Sequence, residues 1–201
     1  MGRTASACRD CRRAGEKLFL KGDRCATQKC AVTRRKYPPG QHGAAVVRLT
    51  EYAKRLREKQ KARKIYCLTE RQFRKYFEIA SRKVGVTGEQ LLQMLELRLD
   101  NVVYRLGFAP SRQAARQMVR HGQVRVNDRK VNVPSYQAKL NDLITLKPKA
   151  LEKAAERLKE YTPPSWLSHL ENYVGKLNRL PLRDDTERLI NEPLIVEYYS
   201  R

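Results

Sequence analysis

Residues 98–131 read RLDNVVYRLGFAPSRQAARQMVRHGQVRVNDRKV, and this stretch decides the fold. Ser111 follows a proline and can cap a short helix, which continues until Gly122 supplies a left-handed stop. Apolar and polar residues then alternate over 124–126 and over 131–133, with an Asn-Asp turn between them. Alternation of this kind predicts two short strands. The stretch therefore predicts a helix followed by a β-hairpin, although Asp at the turn is not the glycine that a two-residue hairpin prefers.

Helices are predicted on the N-terminal side of this stretch. Thr50 and Thr69 can cap helices that run to about Tyr66 and Lys83. A third helix is predicted from Thr87 to Gly107, because apolar residues recur there on one face. These apolar residues are Leu91, Leu95, Leu99, Val102 and Leu106.

The C-terminal side is predicted to be more irregular. A strand over 143–146 and a helix over 148–161 are expected, and the Pro163-Pro164 pair then breaks the pattern. The remaining tail is loop-rich and ends in an apolar run over 194–199, which predicts a strand. Trp166 is expected to anchor this tail in a hydrophobic core.

The charge balance limits the class of partner. The 201 residues include 43 Lys and Arg against 21 Asp and Glu, a formal net charge of +22. Self-repulsion of this size opposes compaction unless a partner supplies counter-charge. Nucleic acid is the commonest such partner, and a membrane surface is the alternative. No apolar run approaches the roughly 18 residues of a membrane span, and the N-terminus lacks the apolar stretch of a secretory signal. A reducing compartment is therefore expected, with cysteines that are free or metal-bound.

Four cysteines stand near the N-terminus: Cys8, Cys11, Cys25 and Cys30, with two, thirteen and four residues between them. Two close pairs of this kind are typical of a structural zinc site, in which four thiolates leave no open position for catalysis. Such a metal would stabilise a head that has few apolar residues. Unligated thiols and an iron–sulfur cluster are the alternatives. The fifth cysteine, Cys67, is expected to be a small packed side chain.

Three basic regions are candidate contacts with nucleic acid. The head and its proline- and glycine-rich arm offer rings for stacking and glycines for close approach to phosphate. Its candidates are Arg3, Arg12, Arg13, Arg34, Arg35, Lys36, Tyr37, Gln41, His42 and Arg48. The helix after Thr50 contributes Tyr52, Arg55, Arg57, Lys59, Lys61, Arg63 and Lys64. The helix and hairpin contribute Arg112, Arg116, Arg120, His121, Arg125, Asn127 and Lys130. Three of these arginines recur every four residues, which predicts one basic stripe facing phosphates.

Together these features closely resemble the bacterial small-subunit ribosomal protein S-four family, in its zinc-containing form. The resemblance covers essentially the whole chain. Besides the cysteines and the stretch quoted first, it rests on YPPGQHG (37–43), YAKRLREKQKARKIY (52–66), ERQFRKYF (70–77) and VEYYSR (196–201). We therefore expect a mainly helical α+β chain with an inserted RNA-binding module. Its expected parts are a zinc-clipped head and arm over 1–50, a helical body over 51–92, the module over 93–160, and a tail over 161–201 that completes the body.

The resemblance also implies a function. It implies a cytoplasmic, non-enzymatic constituent of the small ribosomal subunit that binds a multi-helix junction in the 5′ domain of the ribosomal RNA and nucleates assembly of the body. It further implies one structural Zn²⁺ held by the four cysteines, contact with ribosomal proteins S-five and S-three, an influence with S-five on translational accuracy, and proximity to messenger RNA where it enters the subunit. It implies no membrane and no small-molecule substrate.

Two other functions fit parts of the sequence. An RNA-modifying enzyme could carry the same module, and Arg98-Leu99-Asp100 superficially resembles an active-site motif of pseudouridine synthases. Leu99, however, belongs to the apolar stripe of a predicted helix, and no phosphate-binding loop, nucleophile elbow or His-Glu-x-x-His motif accompanies it. A zinc-containing DNA regulator is the second alternative. Competition between a ribosomal RNA fragment and duplex DNA at matched salt would distinguish the two functions, because stronger binding to DNA would favour the regulator.

Overall fold

A computed structural model describes residues 6–45 and 48–200 of the chain. The chain divides into two compact units, of which the first is drawn from Met1–Gly88 and Arg188–Arg201 and the second is Glu89–Glu187. Within the described residues the helices are α1 (Ala7–Ala14), α2 (Ala31–Arg34), α3 (Glu51–Ile65), α4 (Glu70–Ser81), α5 (Thr87–Glu96), α6 (Leu99–Arg105), α7 (Arg112–Arg120), α8 (Pro148–Glu160) and α9 (Glu192–Tyr199). The strands are β1 (Val124–Val126), β2 (Arg129–Lys130), β3 (Leu143–Leu146), β4 (Leu167–Leu170) and β5 (Val174–Leu177). No helix formed by these residues is both long and apolar enough to cross a bilayer.

Three of the predicted helix starts are confirmed by their capping hydrogen bonds. The Thr50 hydroxyl accepts from the backbone N–H of Ala53 at 3.3 Å at the start of α3. Thr69 does the same for α4 at 3.4 Å, and Ser111 does the same for α7 at 3.2 Å. Each cap satisfies a backbone donor that the first turn of a helix leaves open. These starts depend on local sequence, which is why the sequence predicted them.

The single helix predicted from Thr87 to Gly107 is wrong, because the chain breaks between α5 and α6. Here the backbone N–H of Leu99 donates to the carbonyl of Tyr136 at 2.8 Å, and that of Ala138 donates to Leu97 at 2.9 Å. Arg98 is thus held in an extended conformation by a neighbouring strand-like segment. The apolar stripe itself is buried as expected, since its five residues are all 0% exposed. Tertiary pairing overrides helical periodicity at this one point.

The strand predicted over 194–199 is also wrong, since these residues lie in α9. Asn191 caps this helix with a hydrogen bond from the backbone N–H of Leu194 at 3.5 Å. Ile195 is fully buried in the first unit, and the ring of Tyr199 stacks on Phe77 with centroids 4.5 Å apart. A helix satisfies its own backbone groups, whereas a lone strand would need a partner. Packing against the helices therefore outweighs the strand preference of aromatic and β-branched residues.

The second unit is built on an antiparallel sheet with strand order β2-β1-β3-β5-β4. Residues 161–187, expected to complete the helical body, instead lie in this unit, because β4 and β5 extend its sheet. Four residues pair directly across neighbouring strands and lie on the face that covers the core: Val126, Ile144, Gly175 and His169. A Cβ added at Gly175 would lie 2.3 Å from the side chain of Leu106. The sheet therefore packs closely on the C-terminal end of α6.

The β1–β2 hairpin closes through a two-residue turn. Asn127 and Asp128 both take left-handed conformations, with φ of 48° and 62°. This is the backbone of a type I′ turn, which suits the twist of a hairpin and which Asn and Asp tolerate. The second strand is shorter than predicted and comes earlier, at Arg129–Lys130 instead of 131–133, because the tight turn brings the chain back at once.

Burial of His169 makes the stability of the second unit depend on pH. The ring lies between Phe108 and Tyr173, at centroid distances of 5.7 and 6.4 Å. Burial lowers the pKa of His169 below its usual value of 6.5, although the Leu106 backbone acts in the opposite direction. Between the lowered pKa and about 6.5 the unfolded chain binds more protons than the folded one, so stability rises with pH through that window.

We therefore expect the free energy of unfolding to fall as the pH is lowered from about 7 to about 5. In the variant His169→Phe this fall should be smaller, as measured by denaturant titration at several pH values. The matched control is His121→Gln, which removes an exposed histidine and leaves the packing around His169 intact. An unaltered fall in His169→Phe would contradict the assignment.

Candidate nucleic-acid interface

The four N-terminal cysteines border one small cavity in the first unit. Cys8, Cys11, Cys25 and Cys30 line a space of about 10 Å³, and all four are free thiols. Burial raises the pKa of Cys11, and the charges of the other three thiols act in the same direction, against a backbone hydrogen bond to Leu18. The other three sulfurs thus lie close enough to Cys11 to affect its ionisation. In residues 6–45 and 48–200, however, no three His, Cys, Asp or Glu side chains form a group already arranged to hold a metal ion.

The head is joined to α3 by ion pairs. Lys64 Nζ lies 2.8 Å from Asp10, and Lys61 Nζ lies 3.0 Å from Glu58 and 3.4 Å from Glu16. Lys61 is only 9% exposed, and Lys64 is half-buried. These two predicted nucleic-acid contacts are therefore used within the protein, where they hold the cysteine-bearing head on the helix.

Lys59 is likewise an internal residue of the first unit. Its ammonium lies 2.6 Å from the Glu70 carboxylate and 4.4 Å from the ring centre of Tyr198, and the residue is 3% exposed. Burial by itself raises the pKa of Glu70, but its hydrogen bond from Lys59 holds that pKa below the usual range. Arg55 pairs with Glu197 at 2.7 Å. The structure thus gives Lys59 partners inside the first unit, and its contact with nucleic acid stays a prediction.

The proline- and glycine-rich arm is folded against α1. Arg12 donates from Nε to the carbonyl of Tyr37 at 2.9 Å and from Nη2 to that of Pro38 at 3.2 Å, and its guanidinium lies over the Tyr37 ring at 4.9 Å. Arg13 donates to the carbonyl of Pro39 at 3.4 Å. One face of Tyr37 is thus occupied by Arg12, so the two head arginines shape the arm.

The other predicted residues of the first unit lie nearer the solvent. Arg3 falls outside the described residues. Arg63 is half-buried, with Nε 3.8 Å from Glu70, and Arg57 is half-buried where it lines a pocket with the arm. The exposed members of the predicted set are Arg13, Arg34, Arg35, Lys36, Tyr37, Gln41, His42, Arg48 and Tyr52.

Arg112, the first arginine of the predicted stripe, is buried in a polar network of the second unit. Its Nε donates to Asn101 at 2.7 Å, its Nη2 lies 2.5 Å from Glu187, and its guanidinium covers the Tyr104 ring at 4.5 Å. Arg105 also contacts Glu187, at 3.1 Å. Burial alone would raise the pKa of Glu187, but the two guanidinium groups hold it below the usual range. Arg112 therefore has a structural role in this network, and its contact with nucleic acid stays a prediction.

Arg116 has an intermediate position. Asp100 accepts from Arg98 at 2.8 and 3.1 Å and pairs with Arg116 at 3.3 Å. The Arg116 side chain is 28% exposed, whereas that of Asp100 is 5% exposed. Asp100, the carboxylate of the motif that resembled a synthase active site, is thus a buried member of an ion-pair cluster. This arrangement favours a structural role for the motif.

Exposed basic residues gather where α7 ends and the hairpin begins. We call Arg120, His121, Arg125 and Lys130 the hairpin patch; all four are exposed. Arg125 and Lys130 are direct partners across the β1–β2 register, so their side chains leave the same face of the sheet. At Gly122 an added Cβ would lie 2.2 Å from Lys130 Cε, which shows that the lysine stem covers the end of α7. The fold thereby brings residues from three elements onto one surface.

The sheet also holds two side chains, Asn127 and Lys176, whose positions relative to β3 the sequence did not predict. The amide of Asn127 donates to Asp142 and accepts from the Leu143 backbone, both at 2.9 Å, so Asn127 holds the turn on β3, and its contact with nucleic acid stays a prediction. Lys176 pairs in register with Leu143, which lies on the same face as Arg125 through Thr145. Lys176 thus adds a cation to the open face. Only the pairing of β5 with β3 shows this, since neither strand β5 nor its register was predicted.

Comparison with known proteins identifies the family. The Ribosomal protein S4/S9 N-terminal domain matches residues 3–96, and the S4 domain matches residues 97–144. The small ribosomal subunit proteins uS4A of Clostridium botulinum and uS4 of Dictyoglomus turgidum are each 54% identical to this chain, with 98% of both chains covered. The uS4 protein of Acetivibrio thermocellus is 53% identical over the same share. The chain therefore belongs to the uS4 family of small ribosomal subunit proteins.

Proposed function

We propose that the chain is a structural, non-enzymatic constituent of the small ribosomal subunit that binds ribosomal RNA. The hairpin patch carries this proposal, because it places exposed cations from α7, β1 and β2 on one surface. Arginine and lysine side chains on a rigid element suit a folded RNA, whose phosphates have fixed positions. Family membership over the whole chain supports the same function and a place in the cytoplasmic ribosome.

The finer role follows from the resemblance of the whole chain. We propose that the protein grips a multi-helix junction in the 5′ domain of the RNA and so nucleates assembly of the subunit body. Two separate basic surfaces, the arm and the hairpin patch, support this role, because each stabilises one RNA fold over its competitors. Contacts with ribosomal proteins S-five and S-three, an effect with S-five on accuracy, and proximity to entering messenger RNA belong to the same proposal.

We also propose that Cys8, Cys11, Cys25 and Cys30 bind one structural Zn²⁺. The four thiols border one small cavity, so both close cysteine pairs face the same space. When bound, the metal would supply a crosslink between the two cysteine pairs. Because the thiols are not already arranged as a ligand group, closing of the head and binding of the metal are expected to be coupled.

The salt dependence of RNA binding tests the hairpin patch. The triple variant Arg120→Ala, Arg125→Ala, Lys130→Ala should bind a ribosomal RNA fragment more weakly, and the slope of log affinity against log salt should become shallower by about 2–3 units. Filter binding at several salt concentrations measures both quantities.

The matched control is a triple variant that removes the same charge from exposed positions of α8 in the second unit: Lys149→Ala, Lys153→Ala, Lys159→Ala. This control should keep a slope close to that of the wild-type protein. Equal losses in the two triple variants would mean that net charge alone binds the RNA, and the assignment of the patch would fail.

A further inference from the structure

The arm of the first unit forms a pocket. Its lining comes from the loop 38–45 together with two cations from helices, Arg13 and Arg57, and its volume is about 380 Å³. Pockets that hold small molecules measure roughly 300–1,000 Å³, so this one suits a group no larger than a single nucleotide.

The loop that builds this pocket is closed on itself. The backbone N–H of Gly43 donates to the carbonyl of Gly40 at 3.2 Å, and a Cβ at Gly43 would lie 2.0 Å from the Pro38 oxygen. Gly40 has φ of 117°, which side-chain-bearing residues rarely adopt. The carbonyls of Pro38 and Pro39 accept from Arg12 and Arg13 on α1. The pocket is therefore fixed by the protein's own contacts, which lowers the entropy cost of filling it.

The lining combines two kinds of chemistry. The rings of Pro38 and Pro39 and the methyl of Ala45 are apolar, and they lie alongside the amide of Gln41 and the ring of His42. Arg13 and Arg57 add positive charge. A phosphate alone would use the cations and leave the apolar wall without a partner, whereas an RNA duplex is too wide to enter. An unpaired nucleotide matches both parts, because a splayed-out base has flat faces and polar edges.

We infer that this pocket holds one unpaired nucleotide of the ribosomal RNA. The base lies against the prolines and within reach of Gln41, and its phosphate lies near Arg13 and Arg57. This inference rests on the proposed function and goes beyond it, because it makes the arm a receptor for one extruded base. Arg57 then acts on RNA, while Lys59 two residues later is internal.

Backbone resonances of Gly40 and Gly43 in the full chain provide the test. Adenosine and uridine 5′-monophosphate at millimolar concentration should shift these resonances, and ribose 5-phosphate and inorganic phosphate should bind about tenfold more weakly or not at all. Arg57→Gln should weaken nucleotide binding about tenfold, because it removes a charged hydrogen-bond donor. Arg82→Gln, an exposed change at the end of α4 that does not line the pocket, is the matched control and should leave binding unchanged.

Two results would overturn the inference. Equal binding of phosphate and nucleotide would show an anion site only, and no shift with any nucleotide would show that the pocket is not a base receptor. If nucleotides fail to bind while the triple variant of the hairpin patch still loses affinity for ribosomal RNA, the proposed function stands without this pocket. Unchanged spectra of the α1 amides in Arg57→Gln confirm that the head has stayed folded.

Discussion

Replacing Arg112 with alanine should lower the free energy of unfolding by about 3–5 kcal/mol. The change leaves Glu187, whose side chain is only 19% exposed, without its closest cation and removes the donor that Asn101 accepts from. Arg105 would still contact Glu187, at 3.1 Å, which keeps the expected loss within this range. Arg112→Lys should recover only part of the stability. A lysine ammonium cannot contact Asn101 and Glu187 at once, as the planar guanidinium does, and it cannot stack on Tyr104. Denaturant titration monitored on the second unit measures these values.

The matched control for this prediction is Arg120→Ala. Arg120 lies two turns along the same helix and is exposed, so its loss should change stability by no more than about 0.5 kcal/mol. The RNA affinities should show the reverse order. Where both variants are folded, Arg120→Ala should bind ribosomal RNA more weakly than Arg112→Ala. Equal stabilities for the two variants would contradict the burial of Arg112 in the network.

Loss of one proposed zinc ligand is expected to give the second large effect. In Cys25→Ser the purified protein should contain much less than one Zn²⁺ per chain, because an alcohol is a far weaker ligand than a thiolate. The affinity loss should exceed the roughly 10–100-fold cost of losing an outer-shell partner. Since metal binding supplies folding free energy to small sites, the head should lose its ordered amide signals, while the second unit keeps its own. Metal analysis and amide exchange of the full chain measure these two effects.

Cys67→Ser is the control for the zinc prediction. Cys67 lies after α3, away from the cavity that the four cysteines border, so this variant should keep one Zn²⁺ and an ordered head. A full complement of metal in Cys25→Ser, together with an unchanged spectrum of the head, would sink the four-cysteine assignment. Iron with sulfide in the wild-type protein would favour the cluster that the spacing also allowed.

The local features of the fold could be predicted from sequence. Caps at Thr50, Thr69 and Ser111 are confirmed, because a side-chain oxygen near its own backbone needs no distant partner. The apolar stripe from Leu91 to Leu106 is confirmed as buried, although it runs over two helices, α5 and α6, and not over the one that its spacing predicted. The high positive charge also indicated a polyanionic partner without any knowledge of the fold.

The tertiary structure alone decided which cations face the solvent. Arg112 and Arg120 occupy equivalent positions in a four-residue repeat, yet one meets Glu187 and the other lies at the open end of α7. Lys59 and Arg57 stand in the same basic run, yet only Lys59 is covered by aromatic residues that come from the far end of the sequence. The break before α6, the helix at α9 and the place of Lys176 likewise depend on partners far along the chain. Sequence records the periodicity and charge of each segment, but a side chain is buried or exposed by what packs against it, and that is fixed only when distant segments meet.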